Sequence, residues 1–193
     1  MDKKPDPTHT SQQILDIAQR LVQMRGFNAF SYADIAARLS MTKASLHYHF
    51  PSKERLGVCL IERYAAGFGQ RLNEIDAQSG DAAERLRLYV AIYAAVLADH
   101  RMCLCGMLAA EFKTLPPPMQ AALDTFFADN ERWLATVLTQ GRIRGELRFT
   151  GPPAEAAQYI IASLEGVMML ARPEDDMKRF DSAALRLLSG FGA

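Results

Sequence analysis

Residues 31–56, SYADIAARLSMTKASLHYHFPSKERL, decide how this chain is read. They spell two short helices joined by a tight turn, followed by a capped third helix. Ser31 caps the first, with Asp34 three residues on in a capping-box-like pattern. That helix buries Ile35, Ala36 and Leu39 and exposes Asp34 and Arg38. Ser40 and Met41 make the turn. Thr42 caps the second helix, which ends near Phe50, and Pro51 stops it. Ser52 caps the next, with Lys53, Glu54 and Arg55 in its first turn. The second helix carries Thr42, Lys43, Ser45, His47, Tyr48 and His49 side by side. Short donors, positive charge and planar rings suit a nucleic-acid edge better than a core.

A helix-turn-helix braces one helix on the DNA backbone while a second enters the major groove. The entering helix needs an apolar face that holds it to its neighbours, and Ala44, Leu46 and Phe50 fill that need. Hydroxyls and lysine reach phosphates, and a few side chains reach base edges. The expected DNA-binding set is Ser31, Tyr32, Thr42, Lys43, Ala44, Ser45, His47, Tyr48, His49 and Lys53. Lys43, Tyr48 and Lys53 are assigned to phosphates, and Ser45 and His47 to bases. Lys53 falls at a helix N-terminus, where backbone N–H groups also favour a phosphate. For His49, a packing role competes with DNA contact. His47 and His49 are two residues apart on a helix, so they point to different sides and make no metal site.

Outward from this motif the chain reads as all-α, with about nine helices. Residues 10–25 form the first, with Ile14, Ile17, Ala18, Leu21 and Val22 on one face and Gly26 ending it. A long helix runs from Ser52 to about 77. Further helices follow at about 82–99, 102–112 (apolar nearly all round, hence buried), 119–143, 154–171 and 174–189. The prolines at 116–118 end the 102–112 helix. The expected domains are a disordered arm at 1–9, a helix-turn-helix domain at 10–60 and a second helical domain at 61–193.

The chain has 193 residues and equal numbers of basic and acidic side chains, 22 of each. The charge is unevenly placed. Residues 1–63 hold nine Lys/Arg against six Asp/Glu, so a mildly basic head precedes an acidic remainder. Three cysteines, Cys59, Cys103 and Cys105, are too few for a disulfide framework. No signal peptide is expected, and the longest apolar run, residues 102–110, is about half a membrane span. The default is a soluble, cytoplasmic protein with no membrane partner. No nucleophile elbow, phosphate-cradling glycine loop, paired metal ligands or catalytic triad is legible, so neither an enzyme nor a cofactor is implied.

Ala33–Asp34–Ile35–Ala36, Lys43, Leu46, His49–Phe50, Lys53–Glu54 and Leu56, preceded by Gly26–Phe27, resemble the N-terminal signature of TetR/AcrR-type transcriptional regulators. The strong likeness covers residues 10–60. A softer one lies in Cys103–Leu104–Cys105–Gly106, Ala109–Ala110–Glu111 and Gly145–Glu146–Leu147, which look like the regulatory domain of one subgroup. Two positions depart from the pattern. His47 stands where family members usually carry a DNA-touching Tyr, and Tyr32 where they often carry Thr.

The resemblance implies a repressor that binds a palindromic operator in double-stranded DNA as a homodimer and is released by a small-molecule effector. Residues 61–193 would then bind ligand and dimerise. Phe68, Tyr89, Tyr93, Cys103, Met107, Phe126, Phe127 and Trp133 are the candidate ligand-binding residues, in an apolar pocket. Glu111 and Arg132 are the few charged groups within these stripes, which favours a mostly apolar effector. Ala157, Ile160, Ile161, Leu164 and Met168 form the candidate dimerisation stripe, with Gly166 allowing close approach. The alternative function is a repressor of the same fold that senses thiol-reactive compounds through Cys103 or Cys105. The helix beginning at Ser52 joins the two domains and is the expected lever.

Overall fold

A computed structural model describes residues 7–174 and 176–193, with side chains from His9 onward. Among the described residues the chain is nine α-helices and no strand. They are α1 (Pro7–Arg25), α2 (Tyr32–Leu39), α3 (Lys43–His49), α4 (Lys53–Gln78), α5 (Ala82–Ala98), α6 (Leu104–Ala110), α7 (Pro117–Arg144), α8 (Pro153–Ala171) and α9 (Met177–Gly190). Short 3-10 turns occupy Phe112–Thr114 and Arg172–Glu174.

Several boundaries differ from the sequence reading, three of them where prolines or short apolar runs are involved. Residues 7–9, expected in a disordered arm, are the first turn of α1. Proline is preorganised for a first turn, where its missing N–H costs nothing. The rest of that arm, residues 1–6, lies outside the described residues. The helix expected at 102–112 is only seven residues long, and Ala109 and Ala110 are exposed rather than buried all round. Pro117 and Pro118 open α7 rather than merely closing what precedes them.

The chain divides into two compact units. One holds the chain up to Ala65 together with Leu104–Asp124; the other holds Ala66–Cys103 and Thr125–Ala193. Leu104–Asp124, expected in the second domain, thus falls in the same compact unit as α1, α2 and α3. Glu111 is the reason at atomic scale. Its carboxylate accepts the backbone N–H of Phe27 at 2.6 Å and of Asn28 at 3.3 Å. It thereby satisfies donors in the turn after α1. Gly26, at φ +92°, makes that turn, and a Cβ there would meet the Glu111 carboxylate. α6 packs on α1, and α1, α2 and α3 pack together around Ile14, Ala18, Ile35 and Leu46, all fully buried.

In the other unit α8 packs on α5 and α9. The stripe Ala157, Ile160, Ile161, Leu164 and Met168 faces inward and is at most 6% exposed. These side chains are core of their own chain, so the expected dimerisation stripe is corrected. An apolar stripe on an amphipathic helix seeks its nearest apolar partner first. The outward side of α8 carries Tyr159, Ala162, Met169 and Leu170 instead.

Candidate functional site

α3 is a seven-residue helix set by local chemistry at both ends. The Thr42 hydroxyl accepts the Ser45 N–H at 3.1 Å, and the Phe50 N–H closes on the Leu46 carbonyl at 2.8 Å. Ser40, between α2 and α3, takes the left-handed conformation at φ 52°. At the start of α2 the Ser31 N–H and hydroxyl both donate to the Asp34 carboxylate, at 2.7 and 2.8 Å. These bonds hold the Asp34 carboxyl below its ordinary range.

Leu46 is fully buried and anchors α3. Lys43, Ala44, His47 and Tyr48 are all exposed, and their spacing puts them on one outward face. Tyr48 is 79% exposed, far more than a ring of that size needs for packing. Ser31 and Thr42 flank this face and are exposed too, while Ser45 and His49 are half-buried. His47 has one ring nitrogen, Nδ1, 3.2 Å from the Pro51 carbonyl. With Nδ1–H donating there, Nε2 is the ring nitrogen left to accept a hydrogen bond. His49 Nδ1 lies 3.0 Å from the Ser11 hydroxyl of α1, so it works between helices. Ala44, expected among the residues that hold α3 in place, points out; a small side chain there lets the helix approach a surface closely.

Two residues of the expected DNA-binding set are corrected. The Tyr32 ring is buried, its hydroxyl donates to the Phe50 carbonyl at 2.8 Å, and it packs against the His47 ring. Burial pushes its phenol up to about 12. Lys53 is half-buried and is spent on the protein. Its Nζ donates to the Phe27 and Phe30 carbonyls, at 2.6 Å each, and lies over both rings. Desolvation lowers its pKa, and the Glu111 and Asp34 carboxylates pull it back up. It braces the turn before α2 instead of reaching for phosphate.

The second unit gathers six rings into one cluster. Phe68 meets Tyr89, Tyr93 and Phe126 edge-on at 5.4–6.2 Å, Tyr89 stacks on Trp133 at 5.6 Å, and Phe126 touches Phe127. A polar thread runs through it. The Tyr89 and Tyr93 hydroxyls are 3.1 Å apart, and Tyr89 donates to Asn130 Oδ1 at 3.4 Å. Burial raises both phenols far above their ordinary range. Cys103, fully buried, lies by Glu165 of α8. Seven of the eight expected ligand residues thus belong to this unit; Met107 belongs to α6 in the other. Neither charged residue expected near the ligand is in the cluster. Glu111 caps the turn after α1, and Arg132 is exposed and paired with Asp129. Cys105 is also fully buried, so a reagent reaches either thiol only after the surrounding helices part.

Residues 14–57 match the family of bacterial regulatory proteins named for tetR, and residues 82–187 match the tetracyclin repressor-like C-terminal domain. The chain belongs to the TetR family. It is a ligand-responsive, DNA-binding transcriptional regulator. The HTH-type transcriptional repressor NemR of Escherichia coli is 29% identical over 180 residues, covering 90% of this chain and 89% of NemR. A TetR-family regulator from Agrobacterium tumefaciens superposes with a TM-score of 0.93 at 31% identity, covering 96% of this chain and 99% of that one. One from Legionella pneumophila gives 0.85 at 31% identity, covering 99% and 100%. The TetR fold thus accounts for an outward-facing α3 carried on a small three-helix head. Among the described residues no helix is long and apolar enough to cross a membrane, and no His/Cys/Asp/Glu group is arranged to hold a metal.

Proposed function

We propose that this protein is a cytoplasmic homodimeric repressor that reads a palindromic operator through α3 and leaves it when a small, largely apolar effector binds the second unit. One observation carries the reading. Lys43, Ala44, His47 and Tyr48 share an exposed face of a helix whose opposite side is pinned by buried Leu46. Lys43 and Tyr48, with the Ser31 and Thr42 hydroxyls, serve phosphates. His47 approaches a base edge with Nε2, which as an acceptor pairs with an adenine or cytosine amino group. Regulation, and not catalysis, is the activity.

One such helix reads few base pairs, and twofold pairing doubles the site. The outward apolar residues of the second unit support the pairing. Tyr159, Met169 and Leu170 of α8 and Leu185 of α9 are each more than half exposed, and small Ala162 and half-buried Gly166 lie between them. Beside them an open groove of about 1100 Å³ runs between Tyr159, Ser163, Arg186 and Phe191. A monomer seldom leaves so many large apolar side chains on one face. Effector coupling of ~1–3 kcal/mol would change operator occupancy ~5–150-fold.

The test is gel shift and sedimentation on the same preparation. A dimer that shifts an operator duplex as one dimer per site supports the reading. A monomer that binds all duplexes alike overturns it.

A further inference from the structure

Glu165 of α8 keeps part of its stem exposed, but both carboxylate oxygens are sealed from solvent. Among the described residues no nitrogen or oxygen donor bonds to either of them. The polar group at the carboxylate is the Cys103 thiol, a weak donor. No Lys, Arg or His side chain among the described residues offsets the charge, whose field reaches the Tyr89 and Tyr93 phenols in the ring cluster. Burial accordingly pushes the carboxyl up to about 7.

A buried, unpaired carboxylate is a cost that folding alone does not repay. In its acid form it gains little either, because the neighbouring sulfur is a poor acceptor. The surrounding rings supply what the carboxylate lacks. Aromatic faces attract a desolvated cation, and Phe68, Tyr89, Tyr93 and Trp133 form one contacting cluster, in which Tyr89 and Tyr93 lie within the field of Glu165. A metal ion would need several further strong ligands, and among the described residues no group of three His, Cys, Asp or Glu side chains is placed to supply them. An ammonium group on a hydrocarbon body needs one anion and several rings.

We propose that the cluster around Glu165 is the effector site, and that it takes an organic cation: an amine or quaternary ammonium with an apolar body, its charge against the carboxylate. The assignment rests on the reading of the second unit as the effector-binding part. Trp133 and Phe127 are the half-exposed rings of the cluster and mark the side from which a ligand reaches it.

Trp133 is the single tryptophan of the chain, so its emission reports this cluster directly. The full-length protein is titrated at pH 8 with benzyltrimethylammonium and, separately, with neutral 2-methyl-1-phenyl-2-propanol, which has nearly the same shape. The cation should saturate a change in Trp133 emission at least about tenfold more tightly than the alcohol. Glu165→Gln should abolish that preference and leave the affinity for the alcohol unchanged. In the wild type, which needs no variant to fold, affinity for the cation should fall about tenfold between pH 8 and pH 6 as the carboxylate protonates. Tyr89 and Tyr93 titrate far above that range, and Cys103→Ser should keep the profile.

Equal affinities for the two probes, a cation preference that survives Glu165→Gln, or no saturable response to the cation would each overturn the assignment. Operator binding is measured on the same preparation without either probe. Its absence would refute the regulator reading, whereas operator binding without cation preference refutes only the ligand class.

Discussion

Replacing Glu165 by Gln should stabilise this protein, and only at neutral and alkaline pH. The carboxyl stands near 7 in the folded chain against an ordinary value of 4.5. That difference corresponds to roughly 3 kcal/mol. Its sign follows from proton uptake. Between about pH 4.5 and 7 the folded state holds a proton that the unfolded state has lost, so stability falls as pH rises through this window. Below it the acid is neutral in both states and costs nothing extra. Above it the full penalty is present. Glutamine keeps the shape and never ionises. Urea unfolding at fixed protein concentration, at pH 5 and pH 8, measures the effect. The variant should gain roughly 3 kcal/mol over wild type at pH 8 and less than about 1 kcal/mol at pH 5. A variant equal to or less stable than wild type at pH 8 would show that the carboxylate has a partner in the folded protein, and the argument from an unpaired charge would fail.

Lys43→Ala should weaken binding to every duplex alike and lower the salt slope of log K by about one, as read by titration at several salt concentrations. Lys53→Ala should behave differently. It removes two carbonyl contacts and a packed stem, so it lowers thermal stability by about 1–3 kcal/mol and leaves the salt slope unchanged; a reduced slope would restore it as a phosphate anchor. Glu111→Ala strips the Phe27 and Asn28 amides of their acceptor and should cost about 1–3 kcal/mol, seen in the same melts. Tyr159→Asp puts a charge on the outward face of α8 and should shift sedimentation from dimer to monomer without altering the helical circular dichroism.

The elements that local chemistry fixes were readable. Thr42, Ser31 with Asp34, and Gly26 each act within a few residues, so caps and turns around α2 and α3 lie open in the sequence. Tyr32 was readable in principle. With Ile35, Ala36 and Leu39 it completes a helical stripe, which marks it as a core residue and not a surface one. Lys53 was not. Its partners are carbonyls 26 and 23 residues away, and no periodicity encodes a backbone acceptor at that range. Glu111 hides for the same reason, 84 residues from the amide it caps. The inner stripe of α8 is legible but its neighbour is not, because periodicity tells which side is apolar and not what covers it. Glu165 did leave a signal: it is the single charged residue between Glu155 and Arg172. A lone acid in an apolar helix is a reason to look for what it faces.

The proposed function stands on α3 as a surface that reads DNA. Its most direct test is a fluorescence-anisotropy titration of the purified protein onto duplexes from upstream of its own gene, with scrambled duplexes as controls, for wild type and His47→Ala. The wild type should bind one duplex as a dimer at least ~10³-fold more tightly than its scrambled form, and His47→Ala should lose about 1–3 kcal/mol of that discrimination while binding the scrambled duplex as before. Should random-sequence selection as well as these duplexes yield only weak binding, equal for all sequences and untouched by His47→Ala, the exposed face of α3 would not be a DNA-reading surface.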